Sequence, residues 1–122
     1  MQPLALTLGE PAGIGPDLAL SIWSRRTELR LSPFYIAGDP DFLGRRADQL
    51  GLDVPIALVT PQTATAEFTS ALPVVAIDVP VTAEAGRPDR SSAPAAVASI
   101  RRAVADVMSG EAVAVEIGRA HV

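Results

Sequence analysis

The chain has 122 residues, 48% of them hydrophobic, with a formal net charge of −4 and a sequence pI near 4.8, enough length for one domain with a real core. The acidic balance argues against an electrostatic nucleic-acid binder, and zero cysteines exclude disulfides, thiolate metal sites and a cysteine nucleophile. No apolar run approaches a membrane span and no basic segment precedes an apolar core at the N-terminus, so no membrane association and a cytoplasmic location are expected.

Pro3 to Leu8 is apolar and reads as a buried first strand. It runs into Thr7-Leu8-Gly9-Glu10-Pro11-Ala12-Gly13-Ile14-Gly15-Pro16-Asp17, a loop rich in glycine and proline, and then into Leu18, Ala19, Leu20, Ile22 and Trp23, which read as a helix. Pro16 suits the first helical turn, because its φ is already helical and its missing N–H has no intrahelical partner to lose. Glycines permit positive φ and close approach, and free N–H groups at a helix start favour anionic groups. A strand, glycine loop and helix in this order form a candidate ligand site. It does not match the dinucleotide fingerprint of Rossmann folds, since Leu18 stands where the third glycine would be.

The first helix is expected to fade near Arg25 to Arg30, and Phe34 to Gly38 reads as a second strand. Asp39 is placed to cap a helix that starts at Pro40, carries Phe42, Leu43, Ala47 and Leu50 at helical spacing, and stops at Gly51. Pro55 to Val59 reads as a third strand and residues 60 to 70 as a surface loop. Leu72 to Val81 is β-branched but interrupted by Pro73 and Pro80, which predicts an edge strand. After a polar connection over 83 to 92 comes a long helix, capped by Ser91 or Ser92 and ended by Gly110. Val97, Ile100, Val104 and Val107 mark its apolar face, with Arg101, Arg102 and Asp106 on the others. Ala112 to Val115 reads as a last strand. Alternating strands and helices predict an α/β fold with a mainly parallel, doubly wound sheet.

Gly13-Ile14-Gly15-Pro16-Asp17 resembles the Gly-Ile-Gly-Pro-Glu loop of the isocitrate and isopropylmalate dehydrogenase superfamily. The longer string Gly-Glu-Pro-Ala-Gly-Ile-Gly-Pro resembles its 4-hydroxythreonine-4-phosphate dehydrogenase branch. Asp39-Pro40, Leu50-Gly51-Leu52, Gly86-Arg87-Pro88-Asp89 and Ser109-Gly110-Glu111-Ala112 resemble further landmarks of that branch, so residues 1–115 are similar to its N-terminal third. The resemblance implies part of an isocitrate/isopropylmalate dehydrogenase-like α/β/α domain, truncated. It implies NAD or NADP as cofactor, a divalent metal (Zn, Mg or Co) in the full-length enzyme, a small phosphorylated substrate and a homodimer. The reaction implied is oxidation of 4-phosphooxy-L-threonine and decarboxylation to 3-amino-2-oxopropyl phosphate. Related dehydrogenases of a four-carbon sugar-acid phosphate or an aromatic cis-diol, and a non-catalytic phosphate-binding module, are the alternatives.

Carried onto this sequence, the resemblance assigns cofactor contact to Glu10, Gly13, Ile14 and Gly15, through the loop backbone. It assigns no catalytic residue and no metal ligand, because the family's histidines and substrate residues lie beyond the matching stretch. Asp17, where the family more often has Glu, suits the positive end of the helix dipole. The pairs Arg25/Arg26, Arg45/Arg46 and Arg101/Arg102 read as solvated helix faces, and Trp23 as core or interface packing. From Glu116 the family's Thr-Asn-Pro or Thr-Gly-Pro loop and lysine fail to appear. Residues 116–122, with the lone His121, back-translate into the opening of a widely used short-read sequencing adapter and are read as a non-native tail. On that reading the chain by itself is inactive and leaves apolar faces uncovered.

Overall fold

A computed structural model describes residues 2–9 and 11–116. Element order is β1 (Leu4–Thr7), α1 (Gly15–Ser24), α2 (Arg26–Leu29), β2 (Phe34–Gly38), α3 (Pro40–Leu50), β3 (Ile56–Leu58), α4 (Pro61–Glu67), β4 (Leu72–Ala76), α5 (Ser92–Met108) and β5 (Val115–Glu116). The strands form one sheet in the order β3-β4-β2-β1-β5, every pairing parallel, with Ala5 opposite Tyr35 and Ile36 opposite Val74. The expected α/β class and parallel sheet are therefore present.

Because side chains alternate along a strand, the sheet has two different faces. One presents Leu6, Ile36, Leu72 and Val74 to Leu20 and Trp23 of α1 and to Phe42, Leu43 and Ala47 of α3. The other presents Ala5, Tyr35 and Val75 to Ala64 of α4 and Ala103 of α5. Each fully buried Leu, Val or Phe contributes about 1.5–3 kcal/mol from apolar transfer alone. Trp23 is core, as expected, and its indole N–H donates to the Phe68 carbonyl at 3.0 Å.

Several local signals act as the sequence suggests. Asp39 Oδ1 accepts the Asp41 N–H at 3.0 Å, Pro40 opens α3, and Gly51 closes it in the left-handed conformation. Gly110 likewise takes a positive φ of 83° just past α5.

Four expectations are corrected. Residues 60–70 are not simply a loop, for Pro61–Glu67 is helical. Thr60 and Thr63 satisfy each other's backbone as a capping box, and Pro61, Ala64 and Phe68 are buried. The strand expected at the edge, β4, lies between β3 and β2. Pro73 is tolerated there because Leu72 N–H donates to Pro55 on the β3 side, so position 73 faces β2, and the β2 pairing begins one residue later at Val74.

Three of the four residues of the apolar face expected of α5 are turned outward, Val97 at 47% exposure, Val104 at 43% and Ile100 at 37%, while Val107 is half-buried against the core. Ser92, Ala95, Ser99, Ala103 and Asp106 face inward instead. Small residues let α5 approach β1 and β2 closely over Ala5 and Ala37, and the polar Ser99 and Asp106 have partners there. Tyr35 donates its hydroxyl to Asp106, whose other oxygen lies 3.1 Å from Arg102 Nε. Burial, then the Asp106 hydrogen bond, pushes the Tyr35 hydroxyl far above its ordinary pKa.

The fourth correction concerns the arginine pairs. Arg46 is 2% exposed and central to the site described below. Arg26 stacks 3.7 Å from the Trp23 ring centroid and donates to Thr69 O at 2.6 Å, and Arg102 pairs with Asp106. Arg25, Arg45 and Arg101 are exposed as expected. The tail can be followed only through its first residue, Glu116, in β5. Residues 117–122, His121 among them, lie outside the described residues.

Candidate functional site

In parallel sheets the loops leaving the carboxyl ends of the strands converge, and α/β proteins bind ligands there. Here β1 leads into the glycine loop, β2 into Asp39, and β4 into Ile77 to Val81. Asp39 Oδ2 accepts the Val81 N–H at 2.8 Å, and Ile77 N–H donates to Gly38 O at 3.0 Å, which ties the second and third of these exits together. Gly86 N–H donates to Ala12 O at 2.7 Å, which brings the polar connection against the glycine loop. That connection is knit internally by Asp89, which accepts from the Ser91 hydroxyl and N–H and from the Thr82 hydroxyl. Those bonds hold its carboxyl below the usual range.

Two glycines of the loop act through backbone geometry. Gly9 turns the chain out of β1 at φ 72°. Gly15 is the first residue of α1, and a Cβ there would sit 3.3 Å from the Leu8 carbonyl oxygen, tighter than ordinary contact. Leu18 N–H makes the first α1 hydrogen bond, to Ile14 O at 2.9 Å. The amides of Gly15 and Asp17 precede it, Pro16 has none, and no side chain caps the helix. Ile14 projects from the loop at 71% exposure. Gly13, Ile14 and Gly15 are thus together at the start of α1; Glu10 lies outside the described residues.

Beneath the loop lies the residue that the sequence reading assigned to a solvated face. Arg46, from α3, donates to Pro11 O at 2.8 Å, to Gly13 O at 3.4 Å and to Asp17 Oδ1 at 2.7 Å, and its guanidinium carbon stands 5.0 Å from the Phe42 ring centroid. A buried guanidinium needs such a full set of acceptors. Asp17 sits in the first turn of α1, as expected, and also forms this ion pair. The sequence signal for Arg46 was its position one turn after Phe42 on an otherwise apolar helix face.

Beside Arg46 is a small cleft of about 170 Å³ lined by Phe42, Arg45, Arg46, Gln49, Thr82, Ala83 and Glu84. Two larger open grooves, of about 750 and 870 Å³, flank the end of β4 against α5 and against α3. Neither includes the glycine loop. Among the described residues no three His, Cys, Asp or Glu side chains converge as a metal site would require. No described helix is long and apolar enough to cross a membrane.

No family model matches the chain. It is 56% identical to 4-hydroxythreonine-4-phosphate dehydrogenase of Bradyrhizobium diazoefficiens, over 93% of this chain and 35% of that protein. It is 50% identical to the enzyme of the same name from Xanthobacter autotrophicus, over 92% and 32%. The crystal structure of a 4-hydroxythreonine-4-phosphate dehydrogenase from Burkholderia phymatum superposes with a TM-score of 0.77, at 21% identity, over 96% of this chain and 36% of that one. The chain therefore spans about a third of the length of the curated relatives it matches.

Proposed function

We propose, from the premise that this chain is a homologue of 4-hydroxythreonine-4-phosphate dehydrogenases over about a third of their length, that it supplies the glycine-loop wall of their cofactor cleft. The parent activity is NAD- or NADP-dependent oxidation of 4-phosphooxy-L-threonine, with decarboxylation to 3-amino-2-oxopropyl phosphate, in pyridoxal phosphate biosynthesis. It is the work of a cytoplasmic homodimer. The nicotinamide supplies the hydride acceptor. This chain's part is to bind and orient. The amides of Gly15 and Asp17 and the turn at Gly13 receive an anionic or polar edge of the dinucleotide, and Ile14 packs against its apolar surface. The single observation that carries this reading is the uncapped start of α1, with Ile14 exposed beside it, at the carboxyl end of β1.

Among the described residues no donor set fits the divalent metal of the full-length enzyme, so no step through it is assigned to them. We also propose that the chain alone is inactive, since the resemblance places the family's histidines and substrate residues beyond the matching stretch. Calorimetric titration with NAD+ and NADP+, beside an absorbance assay for NADH with 4-phosphooxy-L-threonine, tests both halves. Weak cofactor binding without NADH formation is expected. Turnover would overturn the inactive assignment, and absence of heat with either dinucleotide would overturn the cofactor-wall assignment.

A further inference from the structure

We infer that the outward face of α5 is an interaction surface whose occupant is the part of a 4-hydroxythreonine-4-phosphate dehydrogenase lying beyond the stretch this chain matches. The inference stands on the homology and is independent of the cofactor-wall reading. Val97, Ile100, Val104 and Met108 follow one another at three, four and four residues, so they share one face of the helix over about 16 Å. All four are exposed, Met108 at 82%. Of the charged residues of α5, Asp106 is buried, Arg102 is half-buried and paired with it, and Arg101 alone is exposed. On α3, by contrast, Asp41, Arg45, Asp48 and Gln49 face solvent. The inward face of α5 is already seated on the sheet, and a helix that is apolar on its far side as well belongs between two layers of protein. It is not long and apolar enough to cross a membrane.

The place of α5 in the fold selects the occupant. The helix packs on β1 and β2 and touches β5, the strand at the sheet edge beside β1. This chain covers 35% of the Bradyrhizobium diazoefficiens enzyme, and the resemblance puts the match in the N-terminal third. About twice as much polypeptide therefore follows there from the position of β5, alongside the stripe. Val97 also lines the groove of about 750 Å³ against the end of β4, with Pro94, Ile77 and Val79, so the apolar surface continues past the helix. Contiguous apolar surface of this kind marks a contact with another protein segment.

The test compares the 122-residue chain with a full-length chimera, residues 1–115 of this chain joined to the Bradyrhizobium sequence beyond the match. Each is made with and without the pair Val97→Thr and Val104→Glu. In the chimera the pair should lower the melting temperature by about 5 °C or more, because a glutamate is then buried without a partner. In the 122-residue chain the shift should stay within about 2 °C, as for exposed sites. Hydrogen peroxide should oxidise Met108 several-fold more slowly in the chimera, read by peptide mass spectrometry. Equal melting shifts in the two settings, or equal oxidation of Met108, would overturn the inference. Protection of Met108 that vanishes when a dimeric chimera is diluted to monomer would seat a second copy on this face and overturn it too. If the chimera does not fold, hydroxyl-radical footprinting of the intact Bradyrhizobium enzyme decides. Protection of the outward positions of the helix aligned with Ser92–Met108, relative to the urea-unfolded enzyme, supports the inference, and labelling at the unfolded rate overturns it.

Discussion

The hydroxyl of Ser99 accepts the Leu8 N–H at 2.7 Å and donates to the Ala37 carbonyl at 2.5 Å. One side chain in the middle of α5 thus joins the ends of β1 and β2 at the point where the glycine loop begins. Leu8 has just left the β1 ladder, and without Ser99 its buried N–H would have no acceptor.

Ser99→Ala is therefore expected to destabilise the chain by about 1–3 kcal/mol, the cost of a buried orphan donor and acceptor. The shift in urea midpoint at unchanged slope is the measurement. A change within 0.5 kcal/mol would show that the loop start finds another partner.

The same face of α5 explains what the sequence pattern concealed. Val97, Ile100, Val104 and Val107 recur at helical spacing, and periodicity reports an apolar stripe without saying what it faces. The sheet below α5 is lined by Ala5, Ala37 and the hydrogen-bonded Tyr35, so the helix seats itself on Ala95, Ser99 and Ala103, and Val97, Ile100 and Val104 point away while Val107 stays half-buried. Arg46 was concealed for a related reason. A basic residue on a helix reads as solvated until its acceptors are known, and two of those are backbone carbonyls of a loop 33 and 35 residues away in the chain. By contrast, the α/β class, the β2 and α3 boundaries and the glycine loop were legible, because they depend on local signals: Asp39 and Pro40 at a helix start, Gly51 at its end, and a buried apolar strand between turns. The α4 helix was missed although its signals were local too, since the Thr60–Thr63 capping box lies in a segment whose composition is that of a loop.

Polar substitution of the outward stripe, as in Val97→Thr with Val104→Glu, should change folding stability by no more than about 0.5 kcal/mol, the range for exposed sites. It should lower binding of a hydrophobic dye and reduce self-association in sedimentation. A loss of several kcal/mol would mean that these valines are core after all.

Tyr35 makes stability fall at high pH. Its folded-state pKa is raised above the ordinary 10.0, chiefly by burial and then by Asp106, so the unfolded chain releases a proton that the folded chain keeps. The stabilisation is complete below about pH 10 and declines above it by about 1.4 kcal/mol per pH unit. Urea midpoints from pH 8 to 11.5 should show this decline in wild type and a shallower one in Tyr35→Phe. As the chain has one tyrosine, phenolate absorbance should appear only with unfolding. A free titration near pH 10 in the folded protein would contradict the buried assignment.

Gly15→Ala should disturb the candidate site more than the fold. Its Cβ would press on the Leu8 carbonyl at 3.3 Å, while the helical position itself accepts alanine. The expected outcome is a melting temperature within a few degrees of wild type and altered amide shifts over residues 8–18. Unaltered shifts there would show that the loop has slack.

The central claim is that the glycine loop is a ligand-binding wall, and amide chemical shifts during titration with NAD+ and NADP+ test it most directly. Progressive, saturable shifts at Gly13, Ile14, Gly15 and Asp17, with β2 and β4 unmoved, are the predicted result. Saturating dinucleotide with those four amides unchanged would contradict it.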